Sequence, residues 1–270
     1  MITSNSPIGL FDSGVGGLTV ASAIRTILPD EDMIYFGDTA HLPYGDKSKE
    51  TIIEYSLKIA EFLLNKKCKI ILIACNSASS NAFEEVKNFV GDKALVMNVV
   101  DPVIEAVWKD PEIKKLGVIG TKATINSGSY EKAVLEMRSD LEVSSMATPL
   151  FVPMIEEGFI FDDISNAIIR SYLSRKEMSE IDSLILGCTH YPIIKNQISR
   201  FFNFNVNVLD SATIVAEKLR DVLAEQHLFT PDPGKGHHFY VSDHTDYFEV
   251  IAKMFFGEKL YLEKVRLPGN

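Results

Sequence analysis

The sequence predicts an α/β fold: two pseudo-symmetric three-layer α/β domains with mostly parallel sheets and the active site in the cleft between them. Three observations carry that expectation. Short, continuously apolar runs of strand length alternate with longer helical patterns along the chain, as parallel strands covered on both faces require. The pattern restarts near residue 116, where "LGVIGTKAT" (116–124) resembles "IGLFDSGVG" (8–16). Finally, "SLILGCTHYP" (183–192) repeats "IILIACNSAS" (70–79), so each half carries a strand that ends in a cysteine followed by polar residues. The first pair is offset by 108 residues (Gly9 to Gly117) and the second by 113 (Cys75 to Cys188), in the same order. Two like domains facing each other present the C-terminal ends of their strands to a shared cleft.

The runs "IGLF" (8–11), "MIYFG" (33–37), "IILIA" (70–74) and "ALVMNVV" (94–100) are the expected strands of the first unit. A Gly-Val-Gly-Gly turn in "FDSGVGGLTV" (11–20) joins the first of them to a helix. Over residues 51–64, Ile53, Leu57, Ala60 and Leu64 fall at i, i+4, i+7 and i+11, the expected buried stripe of a helix with Ser48 as its N-cap. In the second unit "LGVIG" and "SLILG" are strands, and "FVPMIEEGF" (151–159) holds a short apolar run. Beyond residue 205, "VNVLDSATIVAEKLRDVLAEQH" supplies one more strand and helix, "PDPGKG" (231–236) a turn cluster and "HHFYVSD" (237–243) a late strand. Nothing there has the composition of a linker, so the C-terminal stretch is expected to return to the first domain. Residues 1–99 with 207–270 then form one domain, and 100–206 the other.

With 270 residues, 46% hydrophobic and 24% charged, the chain has the composition of a folded protein with a sizeable core. A formal net charge of −10 without a long basic block argues against a nucleic-acid partner, which needs clustered cations against phosphate. A small anionic substrate stays compatible, because local backbone donors outweigh net charge. The N-terminus "MITSNSPIGLFD" has neither the basic nor the apolar region of a signal peptide. No run approaches the ~18 apolar residues of a membrane span, so no membrane partner is expected. Cys68, Cys75 and Cys188 form no C-x-x-C pair and are odd in number, which fits reduced thiols in a cytoplasmic protein.

Cys68 precedes its strand, has no repeated context, and is assigned as a small buried hydrophobe. Cys75 and Cys188 each follow a strand directly and precede polar residues that open the next helix: Asn76 and Ser77, then Thr189 and His190. A helix N-terminus lowers a thiol's pKa and attracts a carboxylate. His190, two residues past Cys188, shares its side of an extended strand end. Acyl transfer leaves a second thiol unexplained, and a redox pair needs bonded sulfurs. A zinc site of Cys75, Cys188 and His190 lacks the usual close-spaced ligand pairs. Proton transfer at a stereocentre fits best: one thiolate removes a proton from one face of a carbon and the opposed thiol delivers one to the other. Asp12 and Ser13 are placed at a strand end facing the cleft, with Asp12 raising a nearby thiol's pKa or accepting its proton. The Gly-Val-Gly-Gly turn matches neither nucleotide fingerprint and is assigned as a tight turn that cradles a small anion. In "GDTAHLPYGDKS" (37–48), the Tyr44–Gly45 backbone is a candidate carboxylate site, whereas Asp46 and Lys47 are surface residues. His237, His238 and His244 are assigned structural or solvated roles.

Taken together, these residues resemble the glutamate racemases of the aspartate/glutamate racemase family. The resemblance covers most of the chain through "GLFDSGVGGLTV", "YFGDTAHLPYG", "ACNSAS", "GTKAT", "FVPMIEEG" and "LGCTHYP", in the family's order and spacing. It implies isomerase activity without cofactors, neither pyridoxal phosphate nor metal, using two cysteines as opposed acid and base. Cys75 matches the cysteine that exchanges the proton of D-glutamate, and Cys188 the one acting on L-glutamate. Asp12 and Ser13, Tyr44 and Gly45, Asn76 and Ser77, and Thr189 and His190 match substrate-binding pairs, with Thr121 of "GTKAT" beside them. Asp12, Glu156 and His190 match auxiliary groups around the thiols. Ser77 departs from the threonine usual in the family; the hydroxyl survives, with looser packing expected. The resemblance also implies a homodimer that supplies D-glutamate for peptidoglycan, and so for cell-wall biogenesis and cell shape. Two alternatives remain: the aspartate-specific members share the thiols, and a non-catalytic amino-acid sensor could retain the scaffold.

Overall fold

The computed structural model describes residues 3–232 and 236–267. The first half runs β1 (Ile8–Asp12), α1 (Leu18–Ile27), β2 (Met33–Gly37), α2 (Lys49–Asn65), β3 (Ile70–Ile73), α3 (Asn76–Val90), β4 (Leu95–Asn98) and α4 (Asp101–Lys109). It continues with β5 (Lys115–Gly120), α5 (Lys122–Ser127), α6 (Ser129–Met137), β6 (Glu142–Ala147), α7 (Phe151–Glu156), α8 (Asp163–Leu173), β7 (Ser183–Gly187) and α9 (Lys195–Phe201). The chain then adds β8 (Asn207–Leu209), α10 (Ser211–Glu225), β9 (His238–Val241), α11 (Asp246–Phe256) and β10 (Leu262–Lys264). The turn cluster expected at 231–236 lies partly outside the described residues.

The strands form two sheets, one ordered β10-β9-β2-β1-β3-β4 and the other β6-β5-β7-β8. Every strand pairing within them is parallel. The β2-β1-β3-β4 core of the larger sheet repeats in the smaller one as β6-β5-β7-β8, so the two echoing sequence pairs occupy equivalent places: β1 with β5, and β3 with β7. The mixed α/β architecture with two parallel sheets is as the sequence predicts. One strand falls elsewhere than expected. Residues 207–209, grouped with the first domain on sequence, hydrogen-bond β7 in the second sheet. The five-residue connection from α9 reaches only the free edge of β7, and pairing there satisfies that edge. The return to the first sheet starts with α10, which packs on both α1 and α4.

Strand residues alternate between faces. Phe11, Ile71 and Ile73 pack beneath α2 and α3, against Ile52, Ile59, Ala82 and Val86. In the second sheet Leu116, Val118 and Ile185 meet Val103, Val107 and Val134 of α4 and α6. The opposite faces merge: Ile8, Leu10 and Leu72 belong to the same apolar cluster as Ile119, Leu184 and Leu186. Ser48 caps α2 as expected, accepting from the Thr51 N–H at 3.3 Å. The buried stripe of α2 is shifted from the expected one. Ile52, Ser56, Ile59, Ala60 and Leu63 are buried, while Ile53, Leu57 and Leu64 flank them half-buried. The apolar arc of this helix is wide enough to hold several stripes, and packing against α3 selects the centre.

Candidate active site

Each thiol closes a strand on the cleft side. Cys75 follows β3 and is the N-cap residue of α3. Cys188 follows β7 but opens no α-helix: the Tyr191 N–H bonds the Cys188 carbonyl at 3.1 Å, and a 3-10 turn over Tyr191–Ile194 leads into α9. The sequence expected Cys188 and His190 to meet through an extended strand end. They meet through this turn instead, with Sγ 3.8 Å from Nδ1.

Both thiols are free, buried, and line one cavity that encloses only about 30 Å³, room for a single water. Ser13, Tyr44, Gly45, Asn76 and Ser77 line it from the first sheet's side, and Thr121, Glu156, Thr189 and His190 from the second. Every residue singled out in the sequence is therefore at the cavity except Asp12. That carboxylate is fully buried behind the wall, accepting from the Gly14 N–H at 3.0 Å and the Thr189 hydroxyl at 3.4 Å. Burial raises its pKa, against the opposing pull of His190. Gly14, Leu42, Pro43 and Val152 also line the cavity. No chemical signal marks them, although three stand inside the glycine-rich and Leu-Pro-Tyr-Gly stretches.

The electrostatics differ between the walls. Burial pushes the Cys75 thiol up to about 12, and the Asp12 charge adds to the rise. Backbone N–H groups of Ala78 and Ser13 pull the other way but do not win. The helix N-terminus therefore does not produce the lowered Cys75 pKa that sequence reasoning attached to it; desolvation outweighs it. The thiol points its proton at Ser13 Oγ, 3.7 Å away. On the other wall, burial disfavours a charged His190, yet its contacts with Cys188 and Glu156 carry it up to about 10. Glu156 Oε1 lies 3.0 Å from Nε2. His190 thus sits between a sulfur and a carboxylate, both of which favour its protonated form.

The Gly-Val-Gly-Gly turn has a steric reason on this site. A Cβ on Gly16 would stand 2.4 Å from the His190 ring, so only glycine leaves room for the imidazole beside Cys188. Tyr44 spends its hydroxyl on Asp38 Oδ2 at 2.6 Å, and Asp38 also accepts from Ser242 at 2.7 Å. What residues 44–45 offer the cavity is thus backbone. Gly45 sits so near Thr121 that a Cβ would come within 2.8 Å of it. The Ser77 hydroxyl bridges to Thr121 at 2.9 Å and Thr124 at 3.4 Å. Ser129 reaches Ser80 at 2.8 Å, continuing this polar seam between the halves.

Other residues stand as expected or carry no site. Cys68 is buried under Gly9, where a Cβ would come within 2.9 Å of its sulfur, and burial pushes its thiol up to about 12. Among the described residues no group of three or more His, Cys, Asp or Glu side chains is placed to hold a metal ion. That covers Cys75, Cys188 and His190 as well as the histidines around β9. Among the same residues no helix is long and apolar enough to cross a membrane.

Residues 18–219 match the family described as Asp/Glu/Hydantoin racemase. The chain belongs to that family. A glutamate racemase of Geobacter metallireducens is 41% identical over 254 residues, covering 94% of this chain and 93% of that protein. One from Aquifex aeolicus is 42% identical over 254 residues, covering 94% and 95%. The crystal structure of a Francisella tularensis glutamate racemase in complex with D-glutamate superposes with a TM-score of 0.93 at 38% identity, covering 99% of this chain and all of that one. These relatives are amino-acid racemases, and this member of the family is an enzyme of that isomerase class. Its two-sheet fold is theirs.

Proposed function

We propose that the enzyme interconverts L- and D-glutamate without a cofactor, one thiol removing the α-proton and the thiol on the opposite wall of the cleft supplying its replacement. The observation that carries this reading is the pair of buried cysteines, one from each sheet, lining a single small cavity. The choice of glutamate is supported by relatives of that name at about 40% identity over nearly the whole chain.

In the L-to-D direction the sulfur of Cys188 takes the α-proton. The Cα–H bond breaks, and its electron pair spreads from Cα into the adjacent carboxylate. Cys75, held as a thiol by burial, delivers its proton to the opposite face, and the new Cα–H bond has the mirror configuration. The sulfur charge passes from the Cys188 wall to the Cys75 wall, and the reverse reaction returns it. The His190 imidazolium supports negative charge on Cys188, and Glu156 holds the ring in place. Asp12, one shell behind, orients Thr189 and keeps the Cys75 proton on. Ser13, Gly45, Asn76, Ser77, Thr121 and Thr189 provide donors for the two carboxylates and a partner for the amino group. Exclusion of bulk water from so small a cavity strengthens every one of these interactions. A 30 Å³ cavity does not admit glutamate, so the cleft opens for entry and closes for chemistry.

In this reading the enzyme works as a cytoplasmic homodimer and supplies D-glutamate for peptidoglycan. The test is chiral analysis of reduced, metal-chelated protein incubated with L-glutamate and, separately, L-aspartate. D-glutamate formation is expected. Turnover of aspartate alone would overturn the substrate, and turnover of neither would favour an amino-acid sensor.

A further inference from the structure

Asn76 opens α3 immediately after Cys75, whereas Tyr130 stands on α6 across the cleft. The Tyr130 hydroxyl donates to Asn76 Oδ1 at 2.7 Å. Both side chains are nearly closed off, 2% and 5% exposed. We infer that Tyr130 is a positioning residue: it fixes the Asn76 amide with its NH₂ group turned into the cavity, making Asn76 a dedicated donor for a substrate carboxylate. The identity of the ligand rests on the racemase reading; the orientation of the amide does not.

A count of protons fixes which way the amide faces. An asparagine amide offers an acceptor on one side and donors on the other, and a flip exchanges them. In a cavity for a dicarboxylate, an inward oxygen repels the ligand and an inward NH₂ binds it. Burial and the neighbouring Cys188 keep Tyr130 neutral by raising its pKa, so it retains one proton to place. Among the described residues its hydroxyl makes no other hydrogen bond than that to Asn76. Only the amide oxygen can accept that proton. The nitrogen therefore faces the cavity that Asn76 lines, and it makes no side-chain hydrogen bond of its own among the described residues.

The link also crosses between the two halves. Thr189, which follows the other thiol, is anchored the same way from the opposite unit, donating to Asp12 at 3.4 Å. In both cases the residue after the cysteine is oriented by a side chain from the facing unit. The Asn76 donor is thus set by a contact that spans the two halves.

Tyr130→Phe keeps the ring and removes the hydroxyl. With one orienting hydrogen bond lost, KM for both enantiomers is expected to rise about tenfold, with kcat and Tm close to those of the parent. Asn76→Asp keeps an oxygen for Tyr130 but offers no donor, and calorimetric binding of D-glutamate should disappear. An unchanged KM in Tyr130→Phe would overturn the inference, as would a fall in kcat and Tm at constant KM, the pattern of a merely structural tyrosine. A neutron structure of the free protein reads the amide directly. Deuterium atoms on the cavity-facing side of Asn76 support the assignment, and an inward oxygen overturns it. That reading holds even if the wild-type protein fails to racemise glutamate, which would sink the proposed activity alone.

Discussion

His190 shows how neighbouring residues set the chemistry of this site. Its burial alone would strip the proton from the ring, but Cys188 and Glu156 reverse the sign. The pKa stands above the ordinary 6.5, at about 10. Protonation therefore stabilises the folded state fully below 6.5, and this contribution is lost as pH rises toward 10. Replacing Glu156 with Gln removes one of the two supports, so the His190 pKa must fall. The expected outcome is a high-pH limb of kcat/KM displaced to lower pH, read from a pH–rate profile; an unmoved limb would show that His190 is not the titrating group. At this scale the sequence was highly legible for residues with reactive side chains. Cys75, Cys188 and His190 stood out because each half repeats a strand, a thiol and a polar step. Tyr130 and Val152 did not, since Val152 reaches the cavity and Tyr130 reaches Asn76 only through folding, and neither side chain is reactive. The lowered thiol pKa expected at Cys75 failed for a similar reason: its helix end is visible in sequence, whereas its burial is not.

Local elements followed the sequence where a specific side-chain device defines them. Ser48 caps α2 because its hydroxyl meets the Thr51 N–H. Ser48→Ala should cost about 1 kcal/mol of stability, lowering the urea midpoint while leaving kcat unchanged, because α2 touches the cavity with none of its own residues. The stripe on α2 was less legible than its cap. Periodicity located an apolar face, but the choice between Ile52 and Ile53 as its centre depends on α3, which is distant in sequence. The turn after β1 gives the converse case. Four residues rich in glycine suggested an anion cradle, and the structure shows an additional demand, the approach of His190 to within clashing distance of any Gly16 side chain.

Across the whole molecule, the internal repeat announced two units, and β1 and β5 occupy matching positions in the two sheets. What sequence did not show is how the units are tied together. One apolar cluster continues from the first sheet into the second, and α10 packs on both sides. At the far end from the cavity Lys69, with its side chain fully buried, pairs with Glu31 at 2.6 Å and donates to the carbonyls of Ser4 and Leu228 at 2.6 and 2.8 Å. That knot holds the N-terminal segment and the chain returning from α10 against the first sheet. Lys69→Met leaves Glu31 buried without its partner, and a loss of about 3–5 kcal/mol is expected, seen as a lower urea midpoint with a single transition preserved. A change within 1 kcal/mol would contradict the role assigned to the pair. Isotope placement distinguishes two opposed thiols from a single acid–base group. L-glutamate would be converted in D₂O for less than one half-life, with deuterium at Cα measured separately in the D product and the recovered L substrate. Two opposed acid–base groups predict D-glutamate fully deuterated and L-glutamate still protonated. Deuterium appearing equally in both enantiomers from the earliest times would mean that one group, not two, handles the proton, and would rule out the two-thiol mechanism.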